Sequence, residues 1–199
     1  MYKIYGDVNS GNCYKIKLLA EQLGVEYQWI NVDTLKKETQ SPAFLQKNPN
    51  GKIPLLETAE GQCLPESNAI LYFLAEGTRY FPESRFERAQ VLQWLFFEQY
   101  SHEPYIATAR YIIRYLNRPA EMEATLQAKM VPGNKALRVM EAHLRSHDYF
   151  VGGRYTIADM GLFAYTHVAN EGGFELAEYP AICGWIERVK SQPGYVSIG

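Results

Sequence analysis

Hydrophobic and polar residues follow two different patterns along the chain, and the change comes near residue 77. In the first part, short β-prone stretches with alternating apolar residues predict strands at residues 2–5 and 27–32. Between them, apolar residues at helical spacing predict a helix that starts at Ser10-Gly11 and runs to Leu23. Such a β-α-β unit implies parallel strands joined by a right-handed crossover.

Three further elements complete this part of the chain. Ser41-Pro42 opens a short helix, and residues 53–57 and 62–64 predict a hairpin whose first strand has a proline near its start. Ser67 then caps a helix that presents one apolar face. The predicted order is β-α-β-α-β-β-α, which describes an α/β domain over residues 1–77.

Every element predicted after residue 77 is a helix. Residues 78–84 form a linker, and residues 85–199 form an all-α domain. Its helices are predicted over residues 85–116, 119–147, 156–169 and 180–190. Pro104 is expected to bend the first of them, and Pro132-Gly133 either kinks or breaks the second.

Composition and charge exclude several classes of protein. With 47% hydrophobic and 21% charged residues the chain is typical of globular domains, and its net charge of -2 gives no general reason to bind nucleic acid or membrane. Neither a secretory signal nor a membrane span is predicted, and three cysteines fit reduced thiols in the cytoplasm. His143 and His147 lack the glutamate of a zinc protease motif, so no metal site is predicted.

The start of the first helix carries candidate chemistry. Ser10 and Asn12 lie where backbone N–H groups and the helix dipole favour an anion. A hydroxyl at Ser10 that donates to a thiolate would lower the pKa of that thiol. The plainer interpretation makes Ser10 an N-cap and Asn12 an ordinary first-turn residue.

Two other segments of the first domain are candidates for ligand binding. A cis peptide at Ile53-Pro54 would turn the backbone groups of Ile53 toward a peptide-like ligand, although base rates favour trans. Ser67, at a helix N-terminus, suits a carboxylate, and Glu66 suits an ammonium group. Otherwise Ser67 caps its own helix and Glu66 complements the helix dipole.

The order and spacing of these segments resemble those of the cytosolic glutathione transferase family. Residues 10–18 resemble its activating segment, 48–56 its cis-proline segment, and 65–74 its γ-glutamyl-binding segment. Residues 155–159 are similar to its capping box, in which Thr156 and Asp159 satisfy each other's backbone N–H groups. The likeness covers essentially the whole chain and implies a thioredoxin-like α/β N-terminal domain followed by an all-α C-terminal domain.

The resemblance also implies a cytoplasmic homodimer that uses glutathione as co-substrate and needs no metal. By position, Glu66 and Ser67 hold the γ-glutamyl end of glutathione. The backbone of Ile53, set by a cis Pro54, holds the cysteinyl part, and Lys52 lies near the glycyl carboxylate.

More than one residue is a candidate for activating the thiol. Ser10 occupies the position of the catalytic serine in theta-like and delta-like enzymes. The Ser-x-Asn pattern resembles nu-like bacterial enzymes, in which Asn12 would share the thiolate. Cys13 is expected to be buried and inert, and Tyr5 to be structural.

Tyrosines of the second domain are candidates for a second-substrate pocket. In the family fold the helix from Arg85 lines a cleft, and Tyr105, Tyr111 and Tyr115 would give it apolar walls with polar tips. The alternative is that many aromatic rings of this helix belong to the core or to a dimer interface. The expected reaction is conjugation of the glutathione thiolate to small electrophiles of hydrophobic or aromatic character. Glutathione-dependent reduction of disulfides or peroxides is one alternative, and a non-catalytic interaction module is another.

Overall fold

The computed structural model describes all 199 residues and divides them into two compact units. Residues 1–76 and 193–199 form the first unit, and residues 77–192 form the second. The sequence places residues 193–199 in the second domain, whereas in the structure they pack with the first unit. There the hydroxyl of Tyr14 donates to the carbonyl of Val196 at 2.7 Å, which ties the C-terminus to the first helix.

The first unit is a four-stranded sheet with three helices. Its elements are β1 (Tyr2–Gly6), α1 (Gly11–Leu23), β2 (Tyr27–Asn31), α2 (Pro42–Lys47), β3 (Leu55–Glu57), β4 (Cys63–Pro65) and α3 (Ser67–Ala75), with a short 3-10 turn at Glu38–Gln40. The strand order is β2-β1-β3-β4; β1 and β2 are parallel, and the other neighbours are antiparallel. The predicted thioredoxin-like α/β fold is therefore confirmed, including the parallel β-α-β unit.

Helices α1 and α3 pack against each other through apolar residues. Ile16 and Leu19 of α1 and Ile70 and Leu71 of α3 are fully buried, as helical spacing on one face requires. Gly24 ends α1 with φ 65°, a left-handed conformation that glycine adopts without steric cost. This packing brings the first turns of the two helices together, which matters for the site described below.

Two local predictions in the first unit were wrong. Strand β3 begins at Leu55 and not at Ile53, because Pro54 has no N–H group to donate to a neighbouring strand. Ser67 is the first residue of α3 and not its N-cap. The N-cap is Glu66, whose side chain makes no capping hydrogen bond, and the hydroxyl of Ser67 bonds elsewhere.

The second unit is helical throughout, as predicted. Its elements are α4 (Arg85–Phe97), a π turn (Glu98–His102), α5 (Glu103–Arg114), α6 (Glu123–Leu144), α7 (Ile157–Thr166) and α8 (Pro180–Lys190), with short 3-10 turns at Ala120–Met122, Ala169–Gly172 and Leu176–Glu178. The π turn joins α4 to α5 without a gap and ends two residues before Pro104, so one long helical segment is confirmed. Helix α6 continues through Pro132, which excludes a break there.

Helix α7 forms the centre of this unit, and all ten of its residues are buried. The predicted capping box is present between Thr156 and Asp159. Asp159 also accepts hydrogen bonds from the indole of Trp185 at 2.9 Å and the N–H of Phe150 at 3.1 Å. Burial nevertheless raises the pKa of Asp159 to about 6. None of the helices in the chain combines the length and apolar character that a membrane crossing requires.

Candidate functional site

Ser10 occupies the N-cap of α1. Its Oγ accepts a hydrogen bond from the N–H of Cys13 at 3.4 Å, which satisfies one of the backbone donors of the first turn. A hydroxyl that accepts in this way keeps its own proton for donation. The capping role and donation to a bound anion are therefore compatible at Ser10.

The first turns of α1 and α3 are joined by side-chain hydrogen bonds. Ser67, which is only 5% exposed, donates from Oγ to Oδ1 of Asn12 at 3.3 Å. The ammonium group of Lys15 lies 3.2 Å from the same Oγ and 3.4 Å from Oδ1 of Asn68. Two residues predicted from separate segments, Asn12 and Ser67, are thus in direct contact.

Lys15 is a polar member of this network that the sequence analysis missed. Its side chain is fully buried, although lysine is rarely found so unless it is paired. The signal was present in the sequence, because Lys15 precedes Leu19 by four residues and therefore lies on the apolar face of α1. A lysine at such a position requires polar partners inside the protein.

Glu66 has an unusual backbone conformation at the start of α3. Its φ of 70° and ψ of 111° lie outside the regions that residues other than glycine normally occupy. Conformations of this kind cost free energy and are found at binding sites, where the surrounding structure maintains them. The side chain of Glu66 is exposed beside the buried Ser67, so an acceptor for a cation lies next to a helix N-terminus.

The loop before β3 contains a cis peptide bond between Ile53 and Pro54, as the family resemblance implies. The loop is fastened on its N-terminal side, where Asn48 Nδ2 donates to the carbonyl of Lys52 at 2.7 Å. The side chain of Ile53 packs against a buried cluster that consists of Val32, Phe44 and Leu55. The side chain of Lys52 is exposed.

Tyr5 is held in a polar cluster on the sheet. Its hydroxyl donates to Oε2 of Glu57 at 2.7 Å, and the same carboxylate pairs with Lys47 and, at 2.8 Å, with Lys3. Hydrogen bonds from Lys3, Lys47 and Tyr5 lower the pKa of Glu57 to about 2. The hydroxyl of Tyr5 thus donates to a carboxylate within the sheet, which agrees with the structural role expected for this residue.

Cys13 is buried in the first turn of α1. It has no exposed surface, and burial raises the pKa of its thiol to about 12. The thiolate is the nucleophilic form of cysteine, so a thiol with this pKa is unreactive at neutral pH. The expectation that Cys13 is inert agrees with this environment.

The three candidate tyrosines of the second unit do not form one group. Tyr111 of α5 and Tyr115, the C-cap of that helix, stack on each other with ring centroids 5.2 Å apart. The ring of Tyr105 instead lies beneath the ammonium group of Lys129 on α6, at 5.6 Å. The reason is helical periodicity, because a spacing of four residues keeps two side chains on one face and a spacing of six does not.

Comparisons with known proteins agree with this architecture. The family model for the glutathione S-transferase N-terminal domain matches residues 1–76, and the model for the glutathione S-transferase C-terminal domain matches residues 93–193. A crystal structure of a glutathione S-transferase from Pseudomonas fluorescens Pf-5 is similar with a TM-score of 0.97 and 56% identity, covering 99% of this chain and 98% of that chain.

Two further relatives carry names that state different activities. The glutathione transferase URE2P6 from Phanerochaete chrysosporium, solved in complex with oxidized glutathione, is 27% identical with a TM-score of 0.87, over 97% of this chain and 92% of that one. The disulfide-bond oxidoreductase YfcG from Escherichia coli K12 is 32% identical over 190 residues, which are 92% of this chain and 87% of the relative. On the two family matches, the chain belongs to the glutathione S-transferase family.

Proposed function

We propose that this protein is an enzyme that binds reduced glutathione and conjugates its thiolate to small electrophiles of hydrophobic or aromatic character. On this proposal it is a cytoplasmic homodimer that serves in detoxification. The observation that carries the proposal is the hydrogen bond between Asn12 and Ser67. Asn12 is the residue proposed to contact the thiol of glutathione, and Ser67 is proposed to hold its γ-glutamyl end. One glutathione molecule can reach both residues only if they lie close together, and this hydrogen bond shows that they do.

Glutathione would be held along the first unit by its three polar parts. The N-terminus of α3, with Ser67 as its first residue, suits the α-carboxylate of the γ-glutamyl group, and the exposed Glu66 suits its ammonium. The backbone of Ile53 would pair with the cysteinyl part as an added strand does, because its side chain is anchored in the core. Lys52 would attract the glycyl carboxylate from its exposed position.

Ser10 and Asn12 would keep the sulfur of glutathione ionised. A free thiol has a pKa near ~8.5, so ionisation at neutral pH requires a fall of roughly two pK units, or about 2.7 kcal/mol. One charge-assisted hydrogen bond together with the N-terminus of α1 supplies an effect of this size. The subtype that this pairing implies is the theta-like or nu-like Ser-x-Asn pattern.

The reaction itself needs little further from the protein. The thiolate attacks an electrophilic carbon, a carbon–sulfur bond forms, and the electron pair of the broken bond leaves with the departing group. The stacked rings of Tyr111 and Tyr115 support an aromatic or hydrophobic second substrate, because they present apolar faces with polar tips. Tyr105 remains a candidate for the same pocket.

Reduction of disulfides by glutathione is the second candidate function. It is favoured by the similarity to a relative named a disulfide-bond oxidoreductase. In that reaction one glutathione thiolate attacks the disulfide, and a second displaces the remaining thiol to give oxidised glutathione. The buried Cys13 would take no part, so both electrons would come from glutathione.

An exposed apolar row on the second unit supports the proposed homodimer. Leu92, Phe96 and Tyr100 follow each other at successive helical turns and are 37%, 70% and 83% exposed. Large apolar side chains in a contiguous exposed row are typical of interfaces between proteins. Sedimentation should give a dimer for the native protein and a monomer for Phe96→Glu, and a native monomer would contradict this assignment.

Two assays on protein retained by glutathione-agarose distinguish the candidate functions. Conjugation is followed with chlorodinitrobenzene, and disulfide reduction with hydroxyethyl disulfide. A rate that is higher with chlorodinitrobenzene supports the transferase, whereas a higher disulfide rate supports the reductase. Retention without turnover in either assay would support a non-catalytic interaction module and contradict the proposal.

A further inference from the structure

We propose that Lys15 is a positioning residue of the glutathione site, whose buried ammonium attracts the α-carboxylate of the γ-glutamyl group and, through Ser67, holds Asn12 in place for the thiol. This inference rests on the proposed function, because it takes glutathione as the ligand. It assigns one residue to both ends of that ligand.

The direction of the hydrogen bonds follows from the chemistry of the three side chains. An ammonium group can only donate, so Lys15 Nζ donates to Ser67 Oγ at 3.2 Å. Ser67 has one hydroxyl proton, and the hydroxyl uses it to donate a hydrogen bond to Oδ1 of Asn12 at 3.3 Å. The amide of Asn12 is therefore held by its oxygen, and its Nδ2 donor points away from Ser67.

Because Lys15 is buried, its charge is weakly screened and acts over a longer distance than an exposed charge does. The side chain has no exposed surface, and charges in protein interiors are screened far less than charges in water. A carboxylate bound at the first turn of α3 would lie next to Ser67, behind which the ammonium stands one hydrogen bond away. The positive end of the α3 dipole acts in the same direction.

The same chain of hydrogen bonds links affinity to thiol activation. A hydroxyl that accepts from a cation becomes a stronger donor, so Ser67 binds Asn12 more firmly than an isolated serine would. Removal of the ammonium would weaken both the attraction for the α-carboxylate and the orientation of Asn12. A lysine that served only to fill space in the core would affect neither.

The test compares Lys15→Met with Lys17→Met, a matched loss of charge on the same helix at a partly exposed position. Calorimetry measures binding of glutathione and of γ-aminobutyryl-cysteinylglycine, an analogue that lacks only the α-carboxylate. Lys15→Met should bind glutathione about tenfold more weakly or worse, since the lost interaction involves a charged group. It should bind the analogue nearly as well as the native protein does, and Lys17→Met should resemble the native protein with both ligands.

A second readout is the pKa of the bound thiol, measured from thiolate absorbance as pH is varied. Lys15→Met should raise that pKa, and Lys17→Met should leave it unchanged. Lys15→Gln, which keeps a donor without the charge, replaces the methionine variant if that variant does not fold. The glutamine variant should lose the preference for glutathione over the analogue.

The results separate this inference from the function on which it rests. Native protein that binds no glutathione overturns the proposed function and the role of Lys15 together. Native protein that binds glutathione, with a preference over the analogue that Lys15→Met retains, overturns the role of Lys15 alone. Equal losses for both ligands indicate a structural lysine and overturn it as well.

Discussion

The hydroxyl of Ser67 donates to Oδ1 of Asn12 over 3.3 Å, so the first turn of α3 is bonded directly to the first turn of α1. The bond uses a serine that sequence rules assign to capping its own helix. Because Glu66 makes no side-chain cap, the N-terminus of α3 depends on other groups to satisfy its backbone donors. A bound carboxylate would supply such acceptors, which is how the geometry favours an anionic ligand.

Ser67→Ala is expected to weaken glutathione binding more than it slows turnover. The variant removes the hydroxyl nearest the proposed carboxylate position but leaves Ser10 untouched. Affinity should fall about tenfold, which corresponds to one hydrogen bond to a charged group, here the bond from Lys15 to the hydroxyl of Ser67. The variant also removes the bond from Ser67 to Asn12, but Ser10 still donates to the thiolate, so kcat at saturating glutathione should fall far less. Calorimetry and steady-state kinetics on the same preparation measure the two effects, and a kcat loss larger than the affinity loss would contradict the assignment.

Ser10→Ala is expected to raise the pKa of the bound thiol by about one to two units, the equivalent of a lost charge-assisted hydrogen bond. The matched control is Ser41→Ala. Ser41 caps α2 by accepting from the N–H of Phe44 at 3.3 Å, much as Ser10 accepts from Cys13 at 3.4 Å. Each variant should lose about 0.5–2 kcal/mol of stability as a cap is removed.

Only Ser10→Ala should change the thiolate titration, because Ser41 lies in a different helix from the proposed thiol site. If Ser10→Ala and the native protein titrate alike, the role passes to Asn12. Asn12→Ala should then raise the pKa of the bound thiol by the amount expected for Ser10.

Features set by neighbouring residues were predictable from the sequence. The capping box of Thr156 and Asp159 is present as predicted, because its bonds join residues three apart. The helix from Pro180 to Lys190 also has the predicted limits, since proline favours the first helical position.

Features that depend on packing between distant elements were not predictable. Ser67 bonds Asn12 only because α3 packs on α1, and the sequence gives no measure of that approach. The position of Lys15 on the apolar face of α1 is visible in the sequence, but its partners are not, because Ser67 and Asn68 come from a helix more than fifty residues away. Most peptide bonds before proline are trans, so the local sequence alone favoured a trans bond at Pro54, whereas the bond is cis.

Glu57→Gln is expected to destabilise the first unit by about 1–3 kcal/mol at neutral pH, since two lysines and Tyr5 would lose a charged acceptor. The pKa of Glu57 is about 2 in the folded protein and 4.5 in the unfolded reference. Because folding favours the ionised form, the contribution of Glu57 is present above pH 4.5 and is lost as pH falls toward 2.

Denaturation followed as a function of pH checks this expectation. The native protein should lose stability between pH 4.5 and 2, and Glu57→Gln should lose less over the same interval. Glu26→Gln, at an exposed position, is the control and should follow the native curve. Parallel curves for the native protein and Glu57→Gln would show that Glu57 keeps its unfolded-state pKa, contrary to this account.

Gly133→Ala is expected to destabilise the second unit by about 1–3 kcal/mol, although alanine is the better helix former. A Cβ at this position in α6 would lie 2.4 Å from a ring carbon of Phe174. Phe174 is 1% exposed, so the ring is buried and cannot move aside into solvent without leaving the core. Gly184→Ala in α8 is the matched control, because its Cβ would lie 3.5 Å from Arg188 Nη1, at ordinary contact distance. That variant should be neutral or stabilising by up to about 1 kcal/mol.

Thermal unfolding of both variants measures the difference, and a gain in stability for Gly133→Ala would mean that α6 and Phe174 separate more readily than their contact implies.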